Sequence, residues 1–287
     1  MERTQRRNES IVWPGQPGAL DQVVEGVREI WSRRLLTRYL IQAELTKKGS
    51  DTLLGNVWWV LDPLLQMVVY VVLVAVIFQR SIEAYPLFIF AAILPWKWFT
   101  SSINDAITSV TARDRIIKQV KFPKLVLPVA AVTGGIVNFA FGLIPLLGLM
   151  VLFYPQHLSP ALLLLPAVAL VQFVFTLPLA IVLGAVNVFY RDIGNVVRHG
   201  LRLWFYLSPG LYGADQLAHL TDQHRVLAWF FAANPFTTLF ESYRNVVYAG
   251  APPLWGGLFV WLVLSIVLCG VAIVFFKRLE PAFAKVL

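Results

Sequence analysis

Long apolar runs alternate with short polar segments along most of this chain, and their lengths predict membrane-spanning helices. A helix that crosses about 30 Å of hydrocarbon needs roughly 20 predominantly apolar residues. Five stretches reach this length, and a shorter sixth is interrupted by Ser208-Pro209-Gly210. We therefore predict an all-α integral membrane protein with six transmembrane helices, at 57–79, 86–110, 126–152, 160–188, 198–214 and 254–276.

Residues 1–56, ahead of the first span, show a different pattern. Apolar residues recur there at helical spacing while charged residues fill the opposite face; the apolar positions are Leu20, Val23, Val24, Val27, Trp31 and Leu35. This predicts a cytoplasmic N-terminal segment with an amphipathic interfacial helix. A solvated helix packed on a partner subunit would give the same pattern.

The distribution of charge orients the predicted spans. The N-terminal segment, the loops after the second and fourth spans and the C-terminal tail are rich in Lys and Arg, whereas the loops after the first and third spans are not. Basic loops stay in the cytoplasm. Both termini are cytoplasmic only if the broken fifth span also crosses, so we predict six crossings.

The segment 215–253 lies outside in this topology. Its apolar stretch 226–240 is interrupted by Asn234-Pro235, a pattern that favours a re-entrant external hairpin between spans 5 and 6. A small folded outer loop is the alternative.

Composition excludes several functions. The chain is 58% hydrophobic and 14% charged, against about 25% charged in soluble domains. Its single cysteine, Cys269, excludes a disulfide framework, and its four histidines show no metal-ligand spacing. The chain has no G-x-x-x-x-G-K-[ST] phosphate loop, so we predict no ATP site, no catalytic residue and no cofactor in this chain.

Several short motifs carry a resemblance to a known family. They are Leu54-Gly55-Asn56-Val57-Trp58-Trp59, Leu94-Pro95-Trp96-Lys97-Trp98-Phe99, Val120-Lys121-Phe122-Pro123-Lys124, Asn187-Val188-Phe189-Tyr190-Arg191-Asp192, Leu207-Ser208-Pro209 and Asn234-Pro235. In this order they resemble the membrane subunit of ABC-2-type exporters, specifically the O-antigen, capsule and teichoic-acid polysaccharide permeases.

The resemblance implies a homodimer in the bacterial cytoplasmic membrane, bound to two copies of a separate ABC ATPase that carries ATP and Mg. Its cargo would be a polyprenyl-pyrophosphate-linked glycan. By resemblance, the loop 113–124 is a helix that couples to the ATPase, although an ordinary orienting loop would also be basic. The residues assigned to coupling are Arg113, Arg115, Lys118, Lys121, Phe122, Pro123, Tyr190, Arg191 and Asp192.

Aromatic residues cluster around the broken fifth span. Such faces stack on sugars, so they are candidates for a substrate path, while an interfacial aromatic belt is the alternative; they are Trp96, Trp98, Phe99, Trp204, Phe205, Tyr206 and Tyr212. The residues assigned to the cytoplasmic interface at the start of the first span are Trp31, Arg34, Arg38, Trp58 and Trp59.

Few ionisable residues fall within spans: Lys97, Asp105 and, at an edge, Asp62. This scarcity argues against proton-coupled transport. The alternatives are a drug or lipid export permease of the same superfamily and a membrane enzyme that acts on lipid-linked sugars. Arg outnumbers Lys 16 to 8, which suggests a GC-rich genome and, with the family, lipid-linked galactan as cargo; O-antigen or teichoic acid fits equally well.

Overall fold

The computed structural model describes residues 18–49, 54–77, 83–120, 122–213 and 225–287, and every regular element within these ranges is helical. The helices are α1 (Ala19–Ser32), α2 (Arg34–Gly49), α3 (Trp58–Val71), α4 (Tyr85–Ser109), α5 (Asp114–Gln119), α6 (Val126–Phe153), α7 (Leu165–Phe189), α8 (Ile193–Leu207), α9 (Arg225–Ala232), α10 (Pro235–Arg244) and α11 (Trp255–Val286).

Within these described ranges, four helices are long and apolar enough to cross a membrane: Tyr85–Ser109, Val126–Phe153, Pro160–Phe189 and Trp255–Val286. They coincide with the predicted second, third, fourth and sixth spans, and the prediction of a helical membrane protein is confirmed. The last helix continues to Val286, beyond the predicted boundary at 276. The predicted first span is a shorter apolar helix that becomes π-helical at Val72–Ile77.

Helix α4 occupies the centre of the bundle, between α6 and α7, and is buried along most of its length. Glycines on α6 allow this helix to approach α4 closely. A Cβ atom added at Gly142 would lie 2.2 Å from Leu94 Cδ1, and one added at Gly135 would lie 2.2 Å from Ser102 Oγ. Larger side chains at these two positions are therefore incompatible with the packing.

The predicted fifth span is built from a short helix and a turn. Helix α8 begins at Ile193, earlier than predicted, and ends at Leu207. Its start lies beside the end of α4, since a Cβ at Gly194 would be 3.5 Å from Ile107 Cγ2. Beyond the turn, the Leu211 carbonyl accepts a hydrogen bond from Tyr85 Oη, at the beginning of α4 (3.4 Å). The chain from 193 to 211 thus runs antiparallel to α4 over nearly its whole length.

Helices α9 and α10 meet at the Asn234-Pro235 break. The Phe236 ring lies 4.7 Å from that of Trp96 and 4.8 Å from that of Phe99, in the middle of α4. The segment then returns to the beginning of α4, where Tyr248 Oη donates to the Glu83 carbonyl (2.9 Å). The break between α9 and α10 therefore lies at the level of the middle of α4.

Helix α1 packs on the bundle through its polar face. Gly26 is buried against α11, and Lys277 Nζ on α11 lies 3.0 Å from Glu25 and 2.9 Å from Glu29. The predicted apolar face points away from the bundle, with Leu20 82% and Trp31 73% exposed. This orientation leaves the apolar face of α1 open to a surrounding apolar phase.

Candidate functional site

The loop assigned to coupling contains one short helix with an exposed basic surface. In α5, Arg115 and Lys118 are exposed, as is Ile116, while Ile117 is buried and anchors the helix. The surface of α5 is therefore available to another protein.

Other residues of this loop are occupied within the chain. Arg113 pairs with Glu44 of α2 and also donates to the Ser109 carbonyl (3.0 Å). Phe122 is half-buried against an apolar cluster, next to a half-buried Pro123. Lys121 lies outside the described residues.

The second coupling segment, Tyr190, Arg191 and Asp192, is exposed at the turn between α7 and α8. The structure brings it close to the first segment. Asn187 Nδ2 donates to the Ile107 carbonyl (2.9 Å) and to Thr111 Oγ1 (3.3 Å), which ties the end of α7 to the chain just before α5. A groove of about 590 Å³ separates the two segments and is lined from both sides.

The aromatic residues proposed for the substrate path form a packed cluster. Trp96 is at its centre, with ring contacts to Phe99, Trp204 and Phe205. Trp96, Phe99 and Phe205 are buried. In this structure of a single chain these faces contact one another instead of lining an opening.

The remaining members of that set are distributed differently. Trp98 is buried and stacks on Phe139 with centroids 4.8 Å apart. Tyr212 is half-buried, whereas Tyr206 is 51% exposed. A role in the substrate path stays a prediction for all seven.

The turn after α8 and the break between α9 and α10 meet at one side chain. Asn234 Nδ2 donates to Ser208 Oγ (2.8 Å), and Asn234 Oδ1 accepts from Trp204 Nε1 (3.1 Å). The same oxygen caps α10 by accepting from the Phe236 amide (3.1 Å). Asn234 thus satisfies one free amide at the start of α10 and links α10 to two side chains at the end of α8.

Arg244 holds the same two elements together at the other end of α10. It is 2% exposed, and its guanidinium donates to the carbonyls of Gly210 (2.7 Å) and Tyr212 (3.1 Å). It also lies 3.8 Å from the centroid of the Phe88 ring. Sequence reasoning missed this role, because neither the motif Glu241-Ser242-Tyr243-Arg244 nor the nearby proline breaks indicate which groups the Arg contacts.

Polar residues form a stripe on α4, at every fourth position: Lys97, Ser101, Asp105, Ser109 and Arg113. Lys97 donates to Asp62 of α3, and Ser101 Oγ lies 3.4 Å from Asp105 Oδ2. Positions four residues apart share one helix face. The ionisable residues found in the sequence therefore share one surface.

The five residues predicted to be interfacial lie at the end of α1, in the first half of α2 and at the start of α3. Trp31, Arg34 and Arg38 are exposed on α1 and α2. Trp58 is 44% exposed, and the half-buried Trp59 packs edge-on against Phe141 with centroids 5.0 Å apart.

Three features define a multi-pass helical membrane protein. Apolar helices pack around a central one, basic segments are exposed at one end, and the apolar face of α1 points outward. Residues 36–248 match the ABC-2 type transporter family, and the chain belongs to that family. It is therefore a transport subunit rather than an enzyme, of a kind that works with an ABC ATPase partner.

Named relatives cover almost all of the chain. It is 34% identical over 259 residues to the O-antigen export system permease protein RfbA of Myxococcus xanthus. The aligned region covers 90% of this chain and 98% of the relative. It is 27% identical over 247 residues to the protein of the same name from Klebsiella pneumoniae, covering 85% of this chain and 92% of the relative.

Proposed function

We propose that this chain is the permease of an ATP-driven exporter that moves a lipid-linked polysaccharide outward across the bacterial cytoplasmic membrane. The observation that carries the proposal is the match to an O-antigen export permease over 98% of that protein's length. A drug export permease of the same superfamily is the competing function, and the names of the relatives favour polysaccharide.

The proposed topology has six crossings, with both termini in the cytoplasm. The antiparallel course of residues 193–211 beside α4 supports a broken fifth crossing, because it extends from Ile107 to Tyr85. The contacts of Phe236 with the middle of α4 support a re-entrant hairpin between spans 5 and 6. The outward apolar face of α1 supports an interfacial position for this helix.

The proposed assembly is a homodimer with two copies of an ABC ATPase, which binds ATP and Mg. The exposed basic surface of α5 and the neighbouring 190–192 turn support a docking site at the cytoplasmic end. The cargo is a polyprenyl-pyrophosphate-linked glycan of the cell envelope. Galactan for cell wall biogenesis is the cargo that the Arg-rich composition favours, and O-antigen is the cargo that the relatives' names favour.

The test is to co-express the tagged chain with candidate ABC ATPase subunits from the same genome and to purify the complex. ATPase activity, subunit stoichiometry and the extracted lipid are then measured. We expect a two-plus-two complex that hydrolyses ATP and carries a lipid-linked glycan. A chain that purifies alone and chemically modifies a lipid-linked sugar would move it to the membrane-enzyme class.

The coupling surface is tested with Arg115→Glu/Lys118→Glu, which reverses two exposed charges on α5. We expect the variant to insert into the membrane normally and to lose co-purification of the ATPase. The matched control is Arg28→Glu, an exposed charge reversal on α1. Equal ATPase recovery with the double variant and the control would contradict the assignment.

A further inference from the structure

A largely apolar cleft that contains one ion pair opens between α3, α4 and α6. Its volume is about 270 Å³, slightly smaller than pockets that hold drug-sized ligands. Among the residues that line it are Trp58, Trp59 and Asn138 and the ion pair between Lys97 and Asp62. The cleft therefore combines aromatic faces with paired charges and an amide.

The position of this ion pair requires an explanation. Lys97 lies twelve residues, about 18 Å of helix, from either end of α4. The Asp62 side chain is 63% exposed and that of Lys97 24% exposed. An ionised side chain that faces hydrocarbon costs about 2.5–3.5 kcal/mol or more, so such groups almost always face a polar cavity or each other. The open side of this pair is thus better matched to a polar ligand than to lipid.

A row of polar side chains runs from the cleft towards the C-terminal end of α4. The polar stripe of α4 leads from Lys97 through Ser101 and Asp105 to Arg113, which follows the helix. A smaller cavity beside Arg113 and Asp105 shares Asn138 with the cleft. A row of polar side chains and a small cavity of about 20 Å³ therefore lie between this end of α4 and the two tryptophans.

The charges select the chemistry of the ligand. Lys97 and Asp62 cancel, so the cleft has no net positive charge with which to hold a phosphate. A carboxylate accepts hydrogen bonds from hydroxyl groups, and an ammonium donates to them. The negative face of an indole ring attracts the C–H groups on one face of a pyranose.

We infer that this cleft binds one neutral pyranose unit of the cargo on its way from the cytoplasmic end. The inference rests on the proposed export of a glycan and specifies where a sugar is held. Trp58 supplies the stacking face, since it is the more exposed of the two tryptophans. Asp62 and Lys97 supply the hydrogen bonds to hydroxyl groups.

A purely structural ion pair between α3 and α4 is the alternative, and a charge swap separates the two. In Asp62→Lys/Lys97→Asp the attraction between the helices is kept, while each donor and acceptor changes place. If the ion pair is only structural, the swap should have wild-type thermal stability and wild-type sugar binding. A sugar site predicts restored thermal stability and lost sugar binding.

The binding experiment uses the full chain in nanodiscs and saturation-transfer NMR. The probes are the methyl pyranosides of galactose, glucose, mannose and N-acetylglucosamine, with glycerol 1-phosphate as the anionic probe. We expect saturation of at least one pyranoside and at least a fivefold smaller signal in Trp58→Ala, Asp62→Asn and the charge swap. Trp229→Ala is the control, because Trp229 is 74% exposed on α9 and does not line the cleft; it should keep the signal.

Three outcomes would overturn the inference: wild-type sugar binding by the charge swap, binding of glycerol phosphate in preference to every pyranoside, or no pyranoside signal. Each is distinguishable from failure of the proposed function. If the complex exports glycan and the cleft binds no sugar, only the inference about the cleft is wrong. If the complex exports no glycan, the proposed function is wrong, whatever the cleft binds.

Discussion

Replacement of Arg244 by Met tests whether one side chain holds the turn after α8 to helix α10. The guanidinium donates to the carbonyls of Gly210 and Tyr212, both located where the end of α8 leaves the backbone without helical partners. Methionine keeps the length of the side chain and its apolar stem, but it has no N–H group to donate to either carbonyl. Two buried carbonyls then lose their charged partner.

The expected cost follows from these contacts. A hydrogen bond to a charged group contributes about 1.5–3 kcal/mol, so the two together contribute roughly 3–6 kcal/mol. The position of the guanidinium over Phe88 adds up to about 2 kcal/mol for a desolvated pair. For a chain of this size each kcal/mol corresponds to roughly 2–4 °C of Tm. We therefore expect Arg244→Met to lower Tm by on the order of 10 °C or more.

The assay is thermal unfolding of the purified chain in detergent, followed by size-exclusion chromatography. Arg244→Lys keeps the charge but replaces the planar fork by a single ammonium, so its Tm should be intermediate. Arg28→Met is the control, because Arg28 is exposed, and should stay within about 2 °C of wild type. A Tm of Arg244→Met equal to that of the control would refute the reasoning, and a wild-type Tm for Arg244→Lys would refute the role of the fork.

Three further changes probe other junctions. Asn234→Ala removes the cap of α10 and the bonds to Trp204 and Ser208, so we expect a loss of about 2 kcal/mol or more, measured as a lower Tm, while Asn234→Asp keeps the capping oxygen and should lose less. Gly26→Val places a Cβ 2.6 Å from Ile273 Cγ2 and should detach α1 at a cost of about 1–3 kcal/mol, detected as faster proteolysis of α1; unchanged cleavage would contradict this packing. Lys277→Gln leaves two carboxylates of α1 without their cation and should also accelerate that cleavage, and the acceleration should vanish in a Glu25→Gln/Glu29→Gln background.

The sequence by itself determined the long helices and the amphipathic pattern of the first helix. Spans such as 126–152 and 160–188 were predicted within about two residues, because twenty apolar residues in a row have few structures that satisfy the backbone within a bilayer. The amphipathic pattern of α1 was equally readable, since it depends only on helical spacing. These features depend on the local sequence and on the surrounding bilayer, and they need no contact between distant residues.

The roles of individual side chains depended on tertiary contacts. Apolar and aromatic residues have the same sequence signature whether they line a path or fill a core, and only the packing showed that Trp96 and Phe99 are buried against Phe236. Likewise, the sequence marked two proline breaks far apart, but the fold joined them through Asn234 and Arg244. Broken helices expose backbone groups that need partners from elsewhere, and the sequence alone does not specify which side chain reaches them.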